Sequence, residues 1–499
     1  MPTRDDVLRI AGLAEGTGPG SRQIELAESL LASSTALGDA DLVVRAHMLL
    51  TEAYRKGGDE WSAIEPFVWT VARATERPDL FSREDLLVLS HVYTHVVVIA
   101  ASNPAASSHQ VASLLAAFAR YTERLDLPRR PLDEATYTAS VLLGRHGDAD
   151  DQLRALAEGE DLSARDESAR ITRVVDDLLR RGRTEEALRA ARHVLDGTLR
   201  SATQPRNTLA QVLLPLVESG RPERAWDAHL GSYALHRQSP SKAAWLKEHL
   251  SYLALTGQLE RGMRLLRRHG SWTASTDAAS DLLDMLQGAV LVLREVEMAA
   301  REAPEGGLWM PTRLEMPASP KWRPSAYVSL SMDLPTALAA TCEWVGMLAA
   351  AFDERNGNDA VSTEVGEWLE RPRLLEGPGT EHVVRLVHGL EPLPGDVPAV
   401  PAVPLDAALT RAVEKAGEAL ASHRPSLAIT PMVALARALE DRGRLIEASD
   451  ALEVAHEIAA ASGSRRAPAL ARGVRRMLGA AAASLEEPER AVTPSGPSC

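Results

Sequence analysis

The chain is poor in the residues that small catalytic and disulfide-held proteins depend on. Its 499 residues include two cysteines, Cys342 and Cys499, which cannot make a disulfide framework or a cysteine zinc site. Aromatic residues amount to 4%, a level that suits alanine-rich packing of helix on helix better than a β-sandwich. Lysine is confined to Lys56, Lys242, Lys247, Lys321 and Lys415, so the remaining 50 of 55 basic residues are arginine. The longest apolar stretch, residues 91–101, falls well short of the roughly 20 residues of a membrane span. The opening MPTRDDVLRI is too charged for a signal peptide, so a reducing cytoplasm is the expected compartment and no membrane association is expected. A net charge of −14 argues against non-specific attraction to nucleic acid or anionic lipid.

What is present is a recurring device. In LLRRGRTEEALRAARHVL (178–195), LVESGRPERAWDAHLGSY (216–233) and LALTGQLERGMRLLRRHG (253–270), an apolar helical stripe ends at Gly182, Gly220 or Gly257. A short polar turn follows, and a small residue stands five positions on: Ala187, Ala225 and Gly262. Glycine ends a helix in the left-handed conformation without a Cβ penalty, and the small residue lets the next helix approach closely. Ile171, Val174, Val175 and Leu178 form one helical face before the first knuckle, as do Leu209, Val212, Leu213 and Leu216 before the second. In the third, Leu246, Leu250 and Leu253 keep the pattern while His249 replaces an apolar position. Gly58 with Ala63 and Gly443 with Ala448 fit the same grammar, and Gly147 with Gln152 is a degenerate copy.

The predicted organisation is all-α. Residues 1–275 form a helical repeat array, and 276–390 a helical region with a non-helical insert at 303–335. Residues 391–404 form a proline-rich linker, 405–484 a C-terminal repeat and cap, and 485–499 a disordered tail. The insert carries six prolines, which forbid continuous helix, together with Trp309, Trp322 and Tyr327.

No catalytic constellation emerges, and no motif requires a cofactor or metal. His91 and His95 in HVYTH share a helix face but lack an HExxH glutamate or third ligand. EGTGPGS (15–21) lacks the lysine of a phosphate loop. GDADDQ (147–152) and RNGND (355–359) lack the twelve-residue calcium spacing and read as caps and turns. Cys342, on an apolar helix, reads as a buried structural thiol.

The knuckles and their 37- and 38-residue spacing resemble the tetratricopeptide repeat and its relatives, α-solenoids of stacked helical hairpins. Composition and pattern also resemble the helical-repeat sensor regions of actinobacterial transcription regulators, without a helix-turn-helix or nucleotide-binding portion. The tetratricopeptide resemblance implies a concave groove, lined by the first helix of each hairpin, that binds a protein or peptide. Counting back from each knuckle places Arg45, Glu52 and Arg55, then Tyr137 and Arg145, then Arg173, Asp176 and Arg180 in that groove. Asn207, Gln211 and Glu218 follow, then Lys247, Glu248 and Ser251. The expected function is a non-enzymatic binding scaffold or regulatory adaptor. Two alternatives stay open: a small-molecule receptor or enzyme accessory protein whose pocket is closed by Trp309, Trp322 and Tyr327, and a self-assembling homo-oligomeric subunit.

Overall fold

The structure, a computed structural model, describes residues 2–57, 59–157, 164–199, 206–236, 240–270, 278–302, 314–317, 329–374, 411, 415, 425–443, 445–461 and 464–490. It is all-α, with helices packed mostly against their neighbours in sequence. The N-terminal helices are α1 (Arg4–Gly16), α2 (Ser21–Leu37), α3 (Ala40–Gly57), α4 (Ile64–Glu76), α5 (Arg83–Ala101), α6 (Ser108–Arg124), α7 (Arg130–Leu142) and α8 (His146–Ala157). The middle contributes α9 (Ala164–Arg180), α10 (Thr184–Ala190), α11 (Arg192–Leu195), α12 (Arg206–Gln211), α13 (Leu213–Glu218), α14 (Pro222–His236), α15 (Leu246–Leu255) and α16 (Leu259–His269). Then come α17 (Ala279–Glu302), α18 (Leu334–Asn356), α19 (Ala360–Leu369), α20 (Ile429–Glu440), α21 (Leu445–Ala461) and α22 (Ala467–Arg490). The last continues beyond the expected end at 484.

Local sequence explains many of the boundaries. Thr3, Ser82 and Ser107 close capping boxes with Asp6, Asp85 and Gln110, which satisfies N-terminal amides that have no partner within the helix. Asp333 caps α18, with a proline in its first turn. The stripe before Gly220 is broken at Val212 into α12 and α13, because Pro215 has no N–H to offer the Gln211 carbonyl.

The knuckles are Schellman motifs. Gly182, Gly220, Gly257 and Gly443 have φ between +68° and +74°. Gly182 N–H donates to Leu179 O (3.0 Å) and Arg183 N–H to Leu178 O (2.8 Å); the same pair recurs at Gly220 and at Gly257. Ala187, Ala225 and Ala448, five residues on, are fully buried. The expectation for Gly147 is corrected. Gly147 lies inside α8, and the left-handed residue is Gly144 (φ +68°), with Ala149 buried five residues later. Gly144, Gly182, Gly220 and Gly257 are therefore 38, 38 and 37 residues apart. Around these hairpins alternate helices also meet: α5 on α7, α9 on α12, α12 and α13 on α15, and α15 on α17.

Two large cores result. The N-terminal one concentrates scarce aromatics: Tyr93 stacks on Phe118 (4.2 Å) and takes Phe67 edge-on (5.0 Å). The other runs from Ile171 to Met477. Whole helices Arg83–Ala101 and Leu334–Asn356 are long and apolar enough to cross a membrane by length and composition; here Val96, Val97, Val345 and Leu348 are buried within the protein. Cys342 is exposed on α18 rather than buried, because Thr341, Trp344, Val345 and Leu348 form that helix's packed face. Within the insert, residues 314–317 pair antiparallel with 329–332, Leu314 opposite Met332. Trp309, Trp322, Tyr327, Gly58, the linker and residues 375–390 of the expected helical region lie outside the described residues, as do all of 405–422 except Arg411 and Lys415.

RNGND, expected as caps and turns, docks the end of α18 onto α5 and α7. Arg355 donates to Ala101 O (2.9 Å), Asn103 O (3.3 Å) and Leu142 O (3.1 Å), while Asn356 and Asn358 bond Leu142 O and Leu143 O. Burial pulls the guanidinium down to about 10, still charged at neutral pH. Arg355→Met would remove the guanidinium from Ala101 O and leave Asn103 O and Leu142 O only their bonds from Ala106 N–H and Asn356; a loss of about 3 kcal/mol is expected in urea unfolding, with Arg355→Lys recovering part. Gly144→Ala combines left-handed strain with a Cβ placed 2.5 Å from the Ala360 Cβ and is expected to cost about 2 kcal/mol. Gly147→Ala, where a Cβ meets open space, is expected to be neutral or stabilising by up to about 1 kcal/mol.

Candidate functional site

The residues expected in a groove divide into those that join helices and those that meet at a charged surface. Tyr137 is buried at 4% exposure; its hydroxyl accepts from Arg180 (3.3 Å) and donates to Arg173 O (3.5 Å). Burial pushes this phenol up to about 12, so it acts as a strut between α7 and α9. Arg173 pairs with Glu134 across the same helices at 3.2 Å. Gln211 donates to Thr172 O (3.3 Å) and ties α12 to α9, and Asn207 is half-buried on α12.

Asp176, Arg180, Lys247 and Glu248 lie together in a mixed-charge cluster. Arg180 pairs with Asp176 (3.3 Å) and contacts His146 Nδ1 (3.0 Å). Arginine cannot accept a hydrogen bond, so that contact leaves the His146 proton on Nε2, which faces Glu364 of α19 at 3.0 Å. Lys247 Nζ pairs with Asp284 of α17 (3.0 Å) and sits 4.3 Å from the Trp368 ring centre. Arg371 lies 4.2 Å from that ring, and Trp368 donates its indole N–H to Ser251 Oγ (3.0 Å). Two cations thus share one indole, an arrangement that gains from the ring quadrupole.

The electrostatics are finely opposed. Burial works to lower Lys247, but Asp284, Glu248 and Glu364 outweigh it and the amine is raised. Burial raises Asp176 despite Arg180, and Glu364 adds to the rise. Glu248 is pushed up to about 7 by burial, with Asp284 and Asp176 reinforcing the shift and Lys247 and Arg371 opposing it.

Arg45 and Glu52 belong to a second place. Arg45 holds Glu15 of α1 (2.6 Å), and Glu52 holds Arg55 and Lys56 within α3 (both 2.8 Å). Both line a pocket of about 520 Å³ between α1, α3 and α5, floored by Met48, Leu49 and Leu89 and edged by Asp41 and Asp85. His95 faces Glu60 (3.4 Å) while His91 is exposed. Among the described residues no group of three or more metal-ligating side chains occurs.

Sequence reasoning treated His249 as a lapse in an apolar stripe, but it belongs to a polar core. Arg261 donates to His229 Nε2 (3.2 Å), His229 Nδ1 meets His249 Nδ1 (3.0 Å), and His249 Nε2 meets Ser232 Oγ (3.2 Å). Because Arg261 can only donate, His229 carries its proton on Nδ1 and passes a hydrogen bond to His249. The engagement of α19 was equally missed. Glu364 and Trp368 are four apart in a short amphipathic helix, a pattern common on any docked surface helix.

Comparison with protein-family models, curated proteins and solved structures gives no match to this chain. A testable consequence lies in Glu248. Its carboxyl binds a proton more tightly folded than unfolded, so stability falls as pH rises from about 4.5 to about 7. Relative to wild type, Glu248→Gln is expected to gain melting temperature steadily across that interval and to hold the gain above it. A difference independent of pH would overturn this assignment.

Proposed function

We propose that the chain is a non-enzymatic scaffold or adaptor, a tetratricopeptide-like array that binds a protein or peptide along the face carrying Asp176, Arg180, Glu218, Lys247 and Ser251. The observation that carries this reading is that residues from three successive hairpins, counted from their knuckle glycines, meet α19 and the residues just after it at one surface: Lys247 and Ser251 at Trp368, Arg180 in the field of Glu364, and Glu218 near Arg371. The regular glycine spacing and the stacking of alternate helices support the repeat reading. A surface of alternating charge suits a polypeptide, whose backbone amides and side chains can pair with both signs. The overall charge of −14 favours a protein partner over nucleic acid or anionic membrane, and the cytoplasm remains the proposed compartment.

The test is affinity capture from a bacterial lysate on immobilised full-length protein, beside Asp176→Lys and, as a control away from that face, Arg45→Glu. Both side chains are about half exposed, so either change should leave the fold intact. A partner, reconstituted in pure form, is expected to bind Asp176→Lys at least about tenfold more weakly, as loss of a close charge contact implies, and Arg45→Glu as tightly as wild type. Retention of the same proteins in the same amounts by all three baits would overturn the scaffold reading.

A further inference from the structure

Two of the positions counted as a partner groove, Lys247 and Ser251, are already in contact with this chain's own helix. α19 has ten residues, about 15 Å of helix, and its side chains reach that surface at both ends. Glu364 faces His146 at 3.0 Å and feels the charges of Arg180 and Lys247. Trp368, one turn later, lies on Lys247 and bonds Ser251. Arg371 then approaches Glu218 (4.0 Å), and Leu374 N–H donates to Leu255 O (2.7 Å). Residues four apart lie on one helical face, so Glu364 and Trp368 form a two-point recognition element.

The way α19 is held differs from the way a core helix is held. Val365 is its one fully packed side chain, and Glu364 remains 52% exposed. Its N-terminus is fixed instead by α18, where Asp353 accepts from the amides of Val361 (3.0 Å) and Ser362 (3.1 Å). The helix is anchored at both ends, at the second by Arg294, which donates to Leu369 O and Arg371 O, and by Arg373 on the buried Glu295, while Val365 packs into the core. Between these anchors Glu364 and Trp368 meet the surface through contacts that another helix can offer.

We propose that α19 is a ligand held in cis. The surface of α9, α13 and α15 is a helix-binding groove, and the partner it fits is an amphipathic helix carrying a carboxylate and an aromatic side chain four residues apart. This rests on the scaffold reading above and adds the chemistry of the partner and an autoinhibited resting state. A short tether gives the resident helix an effective concentration on the order of millimolar, so a partner gains the site by extending beyond ten residues of contact.

The probe is a fluorescent peptide of residues 358–374, titrated against the full-length protein and followed by anisotropy. Trp368→Ala and Glu364→Lys each remove one point of the resident element, the second at an exposed position. Each variant is expected to bind the peptide at least tenfold more tightly than wild type. Adding Lys247→Glu to Trp368→Ala is expected to reverse that gain, as is alanine at both recognition positions of the peptide. Folded variants that bind the peptide no better than wild type would overturn the proposal. So would loss of helical circular dichroism in both variants, because a displaceable ligand cannot be required for folding. The scaffold reading fails separately, if the peptide binds the freed groove yet capture yields no partner sensitive to Asp176.

Discussion

A helix ends with carbonyls that have no partner inside it, and a protein made almost wholly of helices meets that constraint repeatedly. This chain answers it in two ways. At the hairpins, left-handed glycines fold the chain back so that the next two amides reach the last carbonyls. Elsewhere, arginine side chains do the same work: Arg355 serves α5 and α7, Arg83 binds Leu125 O and Asp126 O behind α6, and Arg294 binds Leu369 O and Arg371 O behind α19. A guanidinium offers five donors in a fixed fork, whereas an ammonium offers three at a point. The preponderance of arginine over lysine is therefore structurally consequential, whatever its origin in nucleotide composition.

The same constraint organises the charged surface. Because the hairpin glycines recur at nearly constant spacing, equivalent helix faces from α7 to α15 come into proximity. Residues at those faces then find partners across helices: Arg173 with Glu134, Arg180 with Tyr137, Lys247 with Asp284. Crowding opposite charges this way holds the helices in register, and it also leaves some groups poorly neutralised. Glu248, raised to near neutrality, is the clearest case. A surface whose charges are only partly satisfied is one on which a helix carrying a carboxylate and an indole, followed by an arginine, can settle, and α19 with Arg371 does.

The helices of 279–302 and 334–369 are built under the same constraint. α17 packs along α15, and Glu295, 3% exposed, is held by Arg294 and Arg373 at 2.8–3.0 Å. Burying a carboxylate so deeply is tolerable only with such pairing. The turn after α18 closes on Gly144, where any Cβ would strike Ala360. One glycine thus serves both the hairpin and the docking of a distant segment.

The sequence alone determined the helical class, most helix positions and the hairpin grammar, because apolar periodicity, capping residues and glycine stops act over a few residues and are legible there. Gly182, Gly220, Gly257 and Gly443 needed no partner from elsewhere to be read as helix ends. Tertiary structure decided the rest. Gly144 and Gly147 both precede acidic, helix-forming sequence, and only the packing of Ala149 and the fit against Ala360 select Gly144. The inward turn of Tyr137, the outward face of Cys342 and the polar core around His249 depend on which neighbours approach, and single-helix patterns carry no such information. The meeting of Glu364 and Trp368 with Arg180 and Lys247 spans more than a hundred residues. It follows from how α17 and α18 return the chain to α15, which is set by long-range packing rather than by any local run of residues.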